Sequence, residues 1–220
     1  YIKKVVFIGG TNLRLIKGID RFSEDIDFDC KDLAKEEFMN MTNDVIRYLE
    51  RNGLKVEAKD RENPKLTAFR RNLHFPELLF ELGLSGHKDE RFLLKIESQD
   101  QGVDYSPVIA HIKGCGFFFP FPVPSDEVLC SMKISAMLSR AKGRDFYDLI
   151  YLLPLANPDY NFLSLRCSIS NLKELREATV KLLKTVDLKK KQLDFEHLLF
   201  NKANSRKILR IEEFINLLTE

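Results

Sequence analysis

The feature that most constrains this chain is an apolar run that stops at two glycines, Val5-Val6-Phe7-Ile8-Gly9-Gly10-Thr11. A short helix's length later it is followed by Asp25-Ile26-Asp27-Phe28-Asp29. A buried strand breaks into a tight turn in this way, because glycine takes positive φ cheaply and lets another backbone or a phosphate come close. Thr11 opens a segment with Leu13, Leu15 and Ile16 on an apolar face, which predicts a short helix with Thr11 near its N-cap. The positive end of that helix and the glycine amides together form a place for phosphate oxygens.

A strand alternates faces with period two, so Asp25, Asp27 and Asp29 share one face while Ile26 and Phe28 share the other. Carboxylates so placed repel one another unless a cation sits between them, and hard oxygen ligands at that spacing suit Mg²⁺ with substrate phosphates. Alone, Gly-Gly-Thr is an ordinary turn and Asp-x-Asp an ordinary solvated loop or edge. In this order, separated by one short helix, the two are far more specific.

Charged residues make up 31% of the 220 and the apolar fraction is 44%, which fits a globular chain and excludes a disordered one. A net charge of +2 does not by itself argue for nucleic acid. Cys30, Cys115, Cys130 and Cys167 show no paired spacing, and His74, His87, His111 and His197 are equally dispersed, so neither a zinc site nor a disulfide framework is indicated. No run reaches membrane-spanning length, and the start Tyr1-Ile2-Lys3-Lys4 is too short for a signal peptide, so the expected location is the cytoplasm. The chain opens on Tyr1 rather than Met, which leaves room for residues upstream.

Helical spacing predicts a helix over 33–51, closed by Asn52-Gly53, then a strand over 54–58, a turn at Arg61-Glu62-Asn63-Pro64 and a strand over 66–73. Residues 75–84 and 91–98 read as a β-hairpin around a polar loop. Glu97 interrupts the second of these runs. It either marks the strand's exposed end or faces Asp25 and Asp27 as a third metal carboxylate, with Glu81 the weaker rival. Short strands are expected over 108–112 and 115–119. Pro120, Pro122 and Pro124 exclude helix and central strand, and they set the expected boundary between a domain 1–122 and a helical domain 123–220.

Beyond it, Ser125-Asp126-Glu127 signals a helix start, and the helix should run to about 139. Lys133, Met137 and Arg140 share one of its faces, and Gly143 is expected to break it before Arg144-Asp145-Phe146-Tyr147-Asp148-Leu149 begins the next. Read as residues alone, this is a helix–turn–helix with capping acids, or a lysine brought to a site. Helices are further expected over 172–185, 195–200 and 205–218. Lys181, Lys184, Lys189-Lys190-Lys191, Lys202, Arg206, Lys207 and Arg210 form a basic set, read either as solvated faces or as a track for an RNA backbone.

Gly9-Gly10-Thr11-x-Leu13-Arg14-Leu15, then Asp20-Arg21-Phe22-Ser23-Glu24-Asp25-Ile26-Asp27-Phe28, resembles the signature of the AbiE-type toxin nucleotidyltransferases of the DNA polymerase β-like superfamily. Lys133-x-x-Ala136 followed by Arg144-Asp145-x-x-Asp148-Leu149 resembles that family's second motif. The family occurs in bacterial abortive-infection and toxin–antitoxin systems. Asn12 departs from it, standing where a small apolar residue is more usual.

The resemblance implies an α/β (α+β) fold, a mixed nucleotidyltransferase-like sheet flanked by helices and followed by a helical domain, with the active site in the cleft between them. It implies Mg²⁺ or Mn²⁺ on Asp25, Asp27 and Glu97, with Asp25, Asp27, Lys133 and Asp145 catalytic. Gly9, Gly10, Thr11, Arg14, Ser23 and Arg140 would bind the NTP. It further implies transfer of an NMP to RNA such as tRNA or to a protein, and a cognate antitoxin as partner. The competing readings are a catalytically idle NTP-binding protein and an enzyme that modifies a small molecule of the antibiotic type.

Overall fold

The computed structural model describes residues 1–60, 67–114 and 116–219. The elements in chain order are β1 (Val5–Ile8), a helical turn α1 (Gly9–Asn12) continued by a π-helix Leu13–Lys17, β2 (Ile26–Cys30), α2 (Lys35–Arg51) and β3 (Glu57–Ala58). Then come β4 (Phe69–Phe75), the helical turn α3 (Leu78–Glu81), β5 (Phe92–Gln99), β6 (Val108–Gly114) and β7 (Phe117–Val123). The helices α4 (Asp126–Arg140), α5 (Gly143–Leu152), α6 (Tyr160–Cys167), α7 (Leu172–Leu183), α8 (Leu188–Phe195) and α9 (Ile211–Asn216) complete the chain. This is the mixed α/β architecture expected. The chain divides into two compact units, Tyr1–Thr11 with Glu24–Gln101, and Asn12–Ser23 with Gly102–Glu220.

The first unit is a sheet of order β1-β2-β5-β4-β3, in which β2 and β5 run parallel and the other pairs antiparallel. Phe38 on α2 packs its ring 5.7 Å from that of Phe69 on β4, and Val5, Phe7, Leu73, Phe75 and Ile96 are buried. Gly53, at φ +84, ends α2 as the sequence predicts. Three readings are corrected here. The 54–58 strand shrinks to β3. Residues 75–84 are not a hairpin strand, because Pro76 has no N–H to continue the ladder and Glu77 turns left-handed at φ 64, so 78–81 coil into α3 and β5 pairs with β4 instead. Thr11 is not an N-cap, since the helical turn already begins at Gly9. The turn expected at Arg61–Pro64, Leu66 at the head of the 66–73 strand, and Cys115 lie outside the described residues.

In the second unit, β6 and β7 form a two-stranded ribbon with Pro120 opposite His111 and Pro122 opposite Ile109. Because β6 also packs against Leu13–Lys17, residues 102–123 group with the helices, and the compact units do not coincide with a division after residue 122. The helical core holds Leu129, Ile134, Met137, Phe146, Leu149, Leu152 and Leu163, all shut off from solvent. Ser125 caps α4 by accepting the Val128 N–H at 3.4 Å, as expected. Gly143 does not break that helix. Ala141 does, at φ +47, and Gly143 is the first residue of α5. A Cβ on Gly143 would stand 2.1 Å from the Lys191 carbonyl, so glycine is what lets α5 meet α8. The helix expected over 195–200 lies mostly earlier, as α8 followed by a 3₁₀ turn. That over 205–218 is a 3₁₀ segment Lys202–Arg210 leading into α9, and α6 had no counterpart in the sequence reading.

Candidate active site

In the first unit, strand pairing brings an acid of β2 beside one of β5. Ile8 pairs with Asp27 across β1 and β2, and Asp27 pairs with Glu97 across the parallel β2 and β5. Residues in register on neighbouring strands show their side chains on one face, so Asp27 and Glu97 stand side by side there. Gly9 sits against them at φ +80, and a Cβ on it would meet the Asp27 Oδ2 at 2.2 Å. Any side chain at Gly9 would therefore displace that carboxylate, besides straining the backbone. The Thr11 hydroxyl donates to the Asp25 carbonyl at 2.5 Å and ties the turn to the head of β2.

The acids have internal partners. Asp25 accepts from the Lys95 ammonium at 3.2 Å, and Glu97 accepts from the Arg70 Nε at 2.8 Å. Asp29, further along β2, is buried and accepts the Gln101 N–H at 2.9 Å, so its role is structural. Glu81 lies on α3 and pairs with Lys55 at 3.5 Å, away from the β2 strand. Among the described residues no group of three or more His, Cys, Asp or Glu side chains is gathered as a ligand cluster. The chemistry of the donors nonetheless fits a hard cation. All are carboxylate oxygens, and Asp25 and Glu97 are about a quarter exposed and held by partly exposed cations rather than locked in a core.

In the second unit, Arg21 and Asp148 are both buried and bond bidentately, Nε to Oδ1 at 2.5 Å and Nη2 to Oδ2 at 2.7 Å. Lys133 reaches the same carboxylate at 2.8 Å with its side chain only 8% exposed. Burial alone would raise the Asp148 carboxyl, but Lys133 and Arg21 outweigh it and hold the group below its usual range. Burial likewise opposes the charge of Arg21, and Asp148 more than restores it.

Beside this triad, the Asp20 carboxylate accepts from the Tyr147 hydroxyl and the Asn204 amide, each at 2.6 Å. Burial, then the bond to Asp20, pushes the Tyr147 phenol up. Main-chain bonds from Phe22 N–H to the Leu198 carbonyl at 2.7 Å, and from Phe200 N–H to the Asp20 carbonyl at 3.2 Å, fix the same stretch.

Asp145 is fully buried. It accepts from Arg140 at 3.0 and 2.7 Å and from the Lys142 N–H at 3.1 Å, so it caps α5 while holding an arginine whose side chain is 45% exposed. Arg14 donates to the Ser23 carbonyl at 3.0 Å and lies 5.0 Å over the Phe22 ring.

The structure thus places Gly9, Thr11, Asp25, Asp27 and Glu97 together in the first unit, with Gly10 in the first turn of α1. Arg14 meets Ser23, Lys133 meets Asp148, and Arg140 meets Asp145 in the second unit. Sequence reasoning missed Lys95 and Arg70. Lys95 was within reach, being two residues from Glu97 and so on the same strand face. Arg21 and Asp148 sit inside quoted motifs, but their pairing spans 127 residues and leaves no local signal.

A sequence model of the nucleotidyl transferase AbiEii toxins of type IV toxin–antitoxin systems matches residues 1–208. Among solved structures, the chain is similar to JHP933 from Helicobacter pylori, at 18% identity over 96% of this chain and 83% of that one, with a TM-score of 0.54. It is also similar to MenT4, a nucleotidyltransferase toxin from Mycobacterium tuberculosis, at 18% identity over 98% of this chain and 76% of that one, with a TM-score of 0.50. At these identities the likeness is one of fold. None of the curated proteins matches the chain significantly.

Proposed function

Because the chain belongs to the AbiEii family of nucleotidyltransferase toxins, we propose that it moves an NMP from an NTP to an acceptor hydroxyl on RNA, such as tRNA, or on protein. In this reading Asp25, Asp27 and Glu97 hold Mg²⁺ or Mn²⁺. The observation that carries it is the placement of Asp27 and Glu97 in register on parallel strands with Gly9 pressed against the Asp27 carboxylate. A bound divalent ion would supply charge stabilisation at the phosphate oxygens that change charge during transfer.

The chain's own residues do the rest. The main-chain N–H groups of Gly10 and Thr11 offer donors to phosphate oxygens, and Thr11 keeps that turn fixed to Asp25 through its hydroxyl. Glu97 takes the acceptor's proton when not fully engaged as a ligand. Arg14, steadied by Ser23 and the Phe22 ring, and Arg140, steadied by Asp145, supply cationic charge for anionic substrates. Asp145 is too buried to touch substrate, so it acts through Arg140 as a positioning residue. Lys133, whose ammonium is bound to Asp148 in the second unit, is the residue to which the resemblance assigns charge for the triphosphate. A cognate antitoxin restrains the activity in the cytoplasm.

Labelled NTPs incubated with the protein and either total cellular RNA or lysate protein test this reading directly. One nucleotide should label one acceptor class, EDTA should abolish labelling, and Asp27→Asn should lower the rate by at least about a hundredfold, the scale of a lost transition-state electrostatic contact. Expression in bacteria should slow growth, and Asp25→Ala/Asp27→Ala should relieve it. Growth inhibition unchanged in that double variant would remove transfer chemistry as its cause.

A further inference from the structure

The face of the first unit's sheet that carries the acids also carries two cations. Next to the first β2·β5 pair, Ile26↔Ile96, the Lys95 ammonium meets Asp25, and Glu97 lies opposite Arg70 on β4. Two carboxylates on this face are thus paired with cations, the Lys95 Nζ 3.2 Å from Asp25 and the Arg70 Nε 2.8 Å from Glu97, and Asp27 is in register with Glu97. Each pair is between about a quarter and two-fifths exposed, so the cations hold by attraction rather than by burial and can yield to a stronger charge. Resting on the reading of Asp25, Asp27 and Glu97 as metal carboxylates, we infer that Lys95 is an exchangeable counter-ion. It occupies Asp25 in the metal-free protein, gives it up to the divalent ion, and then serves the nucleotide's phosphates.

Charge accounting favours the exchange. Without metal, each of the two cations offsets the charge of the carboxylate it holds, which spares neighbouring carboxylates part of their mutual repulsion. Once a divalent ion takes the acids, the same two cations make the patch net positive, which is the sign a triphosphate requires. A lysine suits this better than an arginine. Its ammonium is a compact point charge on a flexible four-carbon stem, free to swing from carboxylate to phosphate, whereas a guanidinium forms a planar fork on one partner. Arg70, joined to Glu97 through the ladder between β4 and β5, is the fixed member of the two cations.

The exchange makes two predictions of opposite sign for Lys95→Met in the full chain. Mn²⁺ binding without nucleotide, followed by calorimetry, should tighten by about threefold or more, because a competing cation is gone. The KM for NTP at saturating metal should rise by a similar factor, with little change in kcat. Lys95→Arg should restore the metal affinity towards that of the wild type. A lesion that merely loosens the fold would weaken both metal and NTP binding, and that result overturns the inference, as does unchanged metal affinity. If metal affinity tightens but KM stays unchanged, the transfer of Lys95 to phosphate is wrong. Asp27→Asn separates the levels. Mn²⁺ binding equal in Asp27→Asn and wild type would sink the metal site itself, whereas binding lost in Asp27→Asn but unaltered in Lys95→Met sinks only the exchange.

Discussion

At Asp148, burial and attraction pull one carboxyl in opposite directions. Dehydration favours its neutral form, while Lys133 and Arg21 favour the anion and prevail. Breaking such a pair from one side costs more than the pair ever contributed, because the partners stay buried with their charge unmatched. Asp148→Asn should therefore cost about 3–5 kcal/mol of stability at pH 7, read by urea unfolding. The sign of the pH dependence follows from the lowered value. Stability from Asp148 is fully present above the unfolded-state value of about 3.9 and drains away as pH falls through the lower folded-state value. The variant should thus lose less stability than the wild type on going from pH 5 to pH 2.5. Equal slopes would mean that Asp148 is not the anion of this triad.

Helix α5 owes its position to what its first residue lacks. Gly143 has no special φ, yet a methyl there would meet the Lys191 carbonyl and the Phe195 ring. Gly143→Ala should cost about 1–3 kcal/mol through overpacking. Gly86, likewise without positive φ and with nothing within 4 Å, should accept alanine almost neutrally. Comparing the two melting temperatures tests packing against backbone freedom.

At this scale the sequence was legible wherever a pattern was local. The run into Gly9-Gly10, the alternation of Asp25 and Asp27, and the Ser125 cap each carry their own signal within a few residues. Phe75 to Leu84 did not, because a short apolar run suits strand or helix equally, and only Pro76 hinted that the ladder ends there. Gly143 read as a helix breaker, since a glycine chosen for close approach looks the same in sequence as one chosen for its φ. That Lys95 shares a strand face with Glu97 is local and legible, but its meeting with Asp25 depends on a parallel pairing between distant strands.

Across the whole molecule, the fold class was readable from one signature. The prolines at 120, 122 and 124 looked like punctuation between domains, but two of them lie inside β7. A ribbon strand tolerates them because alternate positions point their nitrogen away from the partner, where no N–H is needed. That detail has a consequence for life in a crowded cell. Among the described residues this ribbon pairs with no third strand, and it shows Phe117, Phe118 and Phe119 to solvent, an invitation to stack with its neighbours into growing sheets. With Pro120 and Pro122 the outer edge of β7 lacks the donors a recruited strand would grip. Replacing both with threonine should restore the donors and make light scattering climb with concentration more steeply than that of the unaltered chain. If scattering stays flat, the prolines do not guard that edge.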